Sequence, residues 1–250
     1  MTKPRKAVSK NMSKKNRILL LAAIFLGIIV LVVLSWAKFK DDNHIAAVNG
    51  EKISVEEYKV YLNLQIKRFE NLGGQDIWET SFDGKTAESL AKQYALDDIA
   101  HLRWALEETK RLGIILSDEE IAACSSFTEE ILQDGQWSLF IEDHNISKKL
   151  IQKVNEDYEL YMVFFEVLTE NFEPSMNEFR KYFQEYIAEN DLEPDESELQ
   201  RLEEELMEKY IAEKKQAIFS QEYDKWLRNA EVTQNQKVWE AIHIDGGTIR

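Results

Sequence analysis

Seventeen successive residues, Ile18 to Leu34, read ILLLAAIFLGIIVLVVL, with no charge and no proline. Ser35, Trp36 and Ala37 carry the run on to Lys38. A helix needs about 20 apolar residues to cross the hydrocarbon core. The run therefore predicts a transmembrane signal anchor over residues 18–37, with Trp36 where an interfacial aromatic belongs. A buried core helix is set aside, because the run has no polar face. Residues 1–17 carry seven Lys/Arg and no acid. Such a basic flank stays in the cytoplasm, which places Lys38 onward outside. The competing reading is a signal peptide cleaved after Ala37, since Ser35-Trp36-Ala37 fits a small-x-small site. Against it, the run is longer than the usual apolar region of roughly 7–15 residues. No cysteine stands just after the run, which excludes a lipoprotein anchor.

The charge then reverses. Residues 41–250 hold 22 Lys/Arg against 46 Asp/Glu. Phosphate contacts need clustered cations, so nucleic acid is excluded as a partner class. Cys124 is the single cysteine, so no intramolecular disulfide and no cysteine-based metal site can form. With Glu119, Glu120, Glu129 and Glu130 close in sequence, Cys124 reads as a small buried side chain rather than a reactive thiol.

Three prolines and nine glycines in 250 residues leave room for long helices. Ile45–Val48 reads as a short strand, and Asn49-Gly50 as a turn, because both residues tolerate positive φ. Ser54-Val55-Glu56-Glu57 is a capping-box pattern: Ser54 caps, and Glu57 reaches back to its amide. The helix that follows places Tyr58, Tyr61, Leu62, Gln65, Ile66 and Phe69 near the 3.6 period and ends at Gly73-Gly74. Further helices are predicted over Thr86–Leu112, from a second box at Ser117–Glu120 to Gln133, over Trp137–Asp143, over Lys148–Thr169, from a third box at Ser175/Glu178 to Ala188, and over Glu198–Arg228. Asn190–Ser197, acidic and holding Pro194, reads as a linker. Glu231-Val232-Thr233 reads as a closing strand. Trp239, Ile242 and Ile244 point to a tail that docks back on the domain.

Several of these segments resemble one family. AAVNGEKISVEEYKVYL, Ala46 to Leu62, resembles the opening strand, turn and capped helix of the SurA N-terminal domain and the PrsA foldases. SDEEIAA, Ser117 to Ala123, resembles the next helix start. EPSMNEFRKYFQEY, Glu173 to Tyr186, is similar to the helix before that family's catalytic insert. AIFSQEYDKWLRNAEV, Ala217 to Val232, resembles its closing helix and strand. The resemblance implies an all-α, SurA-N-like helical chaperone domain over residues 45–235. It also implies a short two-stranded β pairing that closes the domain, with Ile45–Val48 meeting Glu231–Thr233. With it go a linker over 38–44 and a C-terminal tail over 236–250. Family members carry a parvulin prolyl isomerase domain where this chain has Asn190–Ser197, and eight residues cannot contain one. None of the four histidines sits in a parvulin pattern. The chain is therefore expected to lack isomerase activity.

No zinc-binding histidine pattern, phosphate-cradling glycine loop or nucleophile elbow appears, so no catalytic residue, metal or cofactor is assigned. Glu107-Glu108, Glu129-Glu130 and Glu203-Glu204-Glu205 read as solvated helix faces. The aromatic and methionine residues at helical spacing read for the most part as helix-on-helix packing; the candidates for lining an apolar client groove are Tyr161, Met162, Phe165, Phe179 and Phe183. Methionine and aromatic side chains adapt to many sequences. Met176 and Met207 are further candidates. The implied partners are unfolded or newly translocated polypeptides on the outer side of a bacterial cell membrane, bound without ATP. The alternative is an adaptor dedicated to one envelope protein.

Overall fold

The computed structural model describes residues 43–192 and 194–250. The tail 1–17, the anchor expected over 18–37 and most of the linker lie outside the described residues. Among those described, no helix is long and apolar enough to cross a membrane. His44 to Arg250 form one compact unit.

Strand β1 (His44–Val48) turns at Asn49 (φ 50°) and Gly50 (φ 79°) into β2 (Glu51–Ser54). Two successive positive φ values suit the right-handed twist of a tight hairpin, which is why Asn-Gly stands there. Near the other end of the chain, β5 (Val232–Gln234) pairs antiparallel with β1, Ala47 opposite Thr233. The sheet is three-stranded, in the order β2-β1-β5. The expected two-stranded closure thus gains a strand, because Glu51–Ser54 folds back on β1. The closing strand also starts one residue later than expected. Glu231 is held instead by the turn: Asn49 N–H donates to its carbonyl at 2.8 Å, and its own N–H donates to Asn49 Oδ1 at 3.0 Å.

Helix α1 (Val55–Gly73) follows β2 directly, and its Ser54 cap accepts from Glu57 N–H at 3.1 Å. After a 3-10 turn over Gln75–Glu79, a small hairpin of β3 (Ser81–Phe82) and β4 (Lys85–Thr86) turns at Asp83-Gly84. Then come α2 (Ala87–Leu112), α3 (Asp118–Gln133), α4 (Gly135–Asp143), α5 (Lys148–Thr169), α6 (Met176–Glu189) and α7 (Glu196–Leu227). A short α8 (Gln236–Ala241) leads to a last hairpin, β6 (Ile244–Asp245) and β7 (Thr248–Ile249), turning at Gly246-Gly247. A Cβ at Gly247 would meet the Glu70 carboxylate, the movable end of a flexible side chain, and it is the positive φ of 81° that favours glycine there. The architecture is mainly helical, with small sheets at its edges.

Three capping boxes were expected, and only the one at Ser117 and Glu120 closes reciprocally. Ser54 and Ser175 do cap their helices. Their glutamates turn away: Glu57 to Arg103, and Glu178 to Tyr210 and Lys214. A box forms instead at Asp195 and Glu198, which opens α7 two residues early and shortens the expected linker.

The main core lies between the sheet, α1, α2 and α5, with Ile45, Tyr58, Leu62, Ile99 and Ile151 almost fully buried. The tail belongs to it. Ile242, Ile244 and Ile249 are buried, and Lys92 Nζ donates to the carbonyls of Trp239 (2.8 Å) and Ile242 (2.6 Å). A second cluster gathers Trp104, Phe164, Phe219 and Tyr223 where α2, α5 and α7 meet. A third, around Phe179, Leu206 and Tyr210, joins α6 to the N-terminal half of α7. That helix has 32 residues, about 48 Å at 1.5 Å per residue.

Candidate functional site

One open groove has a volume of about 780 Å³. Its position follows from how α2 ends. Gly113 adopts φ 72°, a left-handed stop, and Ile114 N–H closes the end on Thr109 O at 2.9 Å. Ile114-Ile115-Leu116 then run without helical structure to the Ser117 cap. The three aliphatic residues of this link, with Leu106 from α2, Ile121 from α3 and Leu160 from α5, make an apolar lining. Ile115 is 82% exposed and Ile121 40%. Ile115 thus leaves a large aliphatic side chain open to solvent in the link between two helices.

At one end the groove meets the β1–β2 turn and a buried ion network. Arg103 Nη2 donates to both Glu57 oxygens, at 2.7 and 2.9 Å, and Nη1 lies 3.3 Å from Glu51. Its Nε is buried and has no partner. Burial pushes the Glu57 carboxyl above its ordinary range, against the pull of Arg103. This pair ties α1 to α2 and fixes the groove floor. Trp226 from α7 closes the wall, its indole N–H donating to Glu107 at 3.0 Å.

The residues assigned from sequence do not converge on one surface. Tyr161 and Phe165 pack on Phe219, each with ring centroids 5.2 Å away. Tyr161 also borders a smaller cleft of about 310 Å³ with Asp98, His101 and Tyr158. Burial raises the Asp98 carboxyl pKa there, while Arg68 and Gln65 pull it back. Met162 is 37% exposed on α5. Phe179 is 1% exposed and, with the half-buried Phe183, packs in the α6–α7 cluster. Apart from Met162, these side chains join helices. Met176 lies exposed on α6, and Met207 packs beside Phe179's cluster. The groove residues were missed, although Ile114-Ile115-Leu116 carried a signal: three aliphatic residues immediately past a helix-ending glycine. Among the described residues, no group of three or more His, Cys, Asp or Glu is placed to hold a metal ion.

Residues 10–154, more than half of the chain, match the family model described as SurA-like N-terminal domain. The chain belongs to this family. Over 171 residues it is 25% identical to the foldase protein PrsA of Caldanaerobacter subterraneus subsp. tengcongensis, covering 67% of this chain and 51% of that protein. The chain thus spans about half the length of the curated relative it matches. No solved structure matches it. The family match takes in the hairpin, α1 to α4 and the start of α5, and so most of the groove.

Proposed function

We propose that this protein is a chaperone anchored in a bacterial cell membrane through residues 18–37, with its helical domain on the outer side. It holds unfolded or newly translocated polypeptides in the aliphatic groove, without ATP and without prolyl isomerase activity. Membership in the SurA-like N-terminal domain family supports a chaperone-type role, and the relative's name is that of a foldase. The observation that carries the reading is the groove itself, an open surface whose aliphatic lining, with Ile115 82% exposed, stands beside charged residues on a strongly acidic molecule. The short connection from Asn190 to Asp195 between α6 and α7 supports the absence of an isomerase insert. The acidic balance argues against nucleic-acid partners.

The test follows light scattering of a denatured client diluted into buffer, with and without the full chain in mild detergent. Near-stoichiometric suppression without ATP, weakened by Ile115→Glu, supports the reading. No suppression across several clients, with the protein folded, turns the assignment to an adaptor for one envelope protein. Proteolysis of intact cells checks the topology: a C-terminal tag cut from outside agrees with it, and a protected tag overturns it.

A further inference from the structure

We propose that the groove selects polypeptide segments in which branched aliphatic side chains stand beside a lysine or arginine. The inference rests on the client-holding reading and gives that site its substrate class.

The apolar part comes from the lining. Leu106, Ile114, Ile115, Ile121 and Leu160 are all aliphatic, and no methionine lines the groove. Isoleucine is stiff at χ1. Promiscuous sites re-pack through methionine, and this one has no such means. The one aromatic wall, Trp226, is held by its hydrogen bond to Glu107. A stiff aliphatic trough matches valine, isoleucine and leucine better than broad flat rings.

The charged part comes from which ions are already engaged. Glu51, Glu107, Glu156 and Asp157 line the groove together with Arg103, Lys110 and Lys153. Arg103 is bound to Glu57 and Glu51, and Lys153 to Asp157. Glu107 accepts only from neutral donors, Asn49 Nδ2 at 3.4 Å and Trp226 Nε1 at 3.0 Å. Glu156 accepts from Gln152 Nε2 at 2.9 Å. Glu107 and Glu156 thus have no cationic partner among the described residues, and Lys110 is the lining cation outside the two ion pairs. A client lysine lays its methylene stem along the aliphatic lining and brings its ammonium to the acidic rim. The acidic field of the whole domain acts in the same direction.

Fluorescence anisotropy with the full chain in detergent tests this, using three sets of labelled peptides. One set carries Val-Ile beside Lys, a second Val-Ile beside Glu, and a third Phe-Tyr beside Lys. The first should bind about five- to tenfold tighter than the second at low salt, the scale of two exposed ion pairs. That ratio should shrink as salt rises. It should approach one in the Glu107→Gln/Glu156→Gln double variant. Phe-Tyr peptides binding as well as Val-Ile peptides, or a ratio that the double variant leaves unchanged, overturns the inference. If no peptide binds while denatured proteins are still held, the groove is not the client site and the inference falls alone. If neither is held, the functional reading falls with it.

Discussion

The main core and the α6–α7 arm are built from different interactions. In the core, β1 is buried between β2 and β5, Arg103 joins α1 to α2 across 46 residues of sequence, and Lys92 binds tail carbonyls 147 and 150 residues away. The arm has three buried residues, Phe179, Leu206 and Tyr210. Around them are solvent-exposed pairs such as Lys181–Glu185, Arg201–Glu205 and Lys209–Glu213. Exposed pairs of this kind contribute about 0–1 kcal/mol each. Buried long-range contacts hold a region to the global unfolding free energy, whereas a small cluster with exposed pairs opens locally first. The groove sits on the locked side, which keeps its stiff shape. On this contrast the arm is expected to open first.

The largest effect should come from unpairing the core. Arg103→Met leaves Glu57 buried without its partner and should cost about 3–5 kcal/mol. Urea denaturation reads this as a lower midpoint for the whole domain. The double variant Glu57→Leu/Arg103→Met should recover much of the loss, since a buried pair replaced by apolar groups is often near neutral. A double variant no better than the single would mean that the pair itself, not the stranded charge, holds α1 to α2.

Next comes a contrast between regions. Leu62→Ala should cost about 2–5 kcal/mol globally. Phe179→Leu should instead raise hydrogen exchange in α6 and leave the amides of α1 and α2 protected. Equal loss of protection in both regions would dissolve the distinction. A smaller core effect is expected at Lys92. Lys92→Met strands the carbonyls of Trp239 and Ile242, at about 1–3 kcal/mol. The tail beyond Gln236 should then become sensitive to protease.

The same contrast explains what the sequence disclosed. Ser147 before Lys148 and Gly113 after Leu112 are local signals, and the helices they bound lie where expected. Ser54 and Ser175 were legible as caps, but the destinations of Glu57 and Glu178 were not. Each glutamate found a tertiary partner, Arg103 or Tyr210, that outweighed the neighbouring amide. The hairpins at Asp83-Gly84 and Gly246-Gly247 went unread, because their strands are two residues long, too short for any alternation to show. The aromatic rows on α5 and α6 were legible as helix faces. Whether such a face packs or stays open depends on what lands on it, here Phe219 and Tyr210 from α7. The groove needed still more, since Glu107 and Trp226 are 119 residues apart.

The smallest effect separates the regions by pH. Burial raises the pKa of Glu57 and Asp98 in the core. Hydrogen bonds from Tyr210 and then Lys214 lower the pKa of Glu178 in the arm. A carboxyl raised on folding binds its proton more tightly in the native state. Its contribution is therefore largest below the ordinary carboxyl range and declines as pH rises through the raised value. A lowered carboxyl does the reverse: its contribution is present above the ordinary glutamate value of about 4.3 and is lost as pH falls through the depressed one. On acidification below about pH 4.3, the arm should lose support from Glu178 while Glu57 and Asp98 favour the folded core. Hydrogen exchange at a series of acid pH values, corrected for intrinsic rates, should show α6 opening before α1 and α2. Glu178→Gln should open α6 at neutral pH and flatten that response. Asp98→Asn should flatten the opposite trend in the core. If α6 and α1 lose protection together in the wild type and in both variants, the two regions unfold as one unit and the arm is not the mobile part.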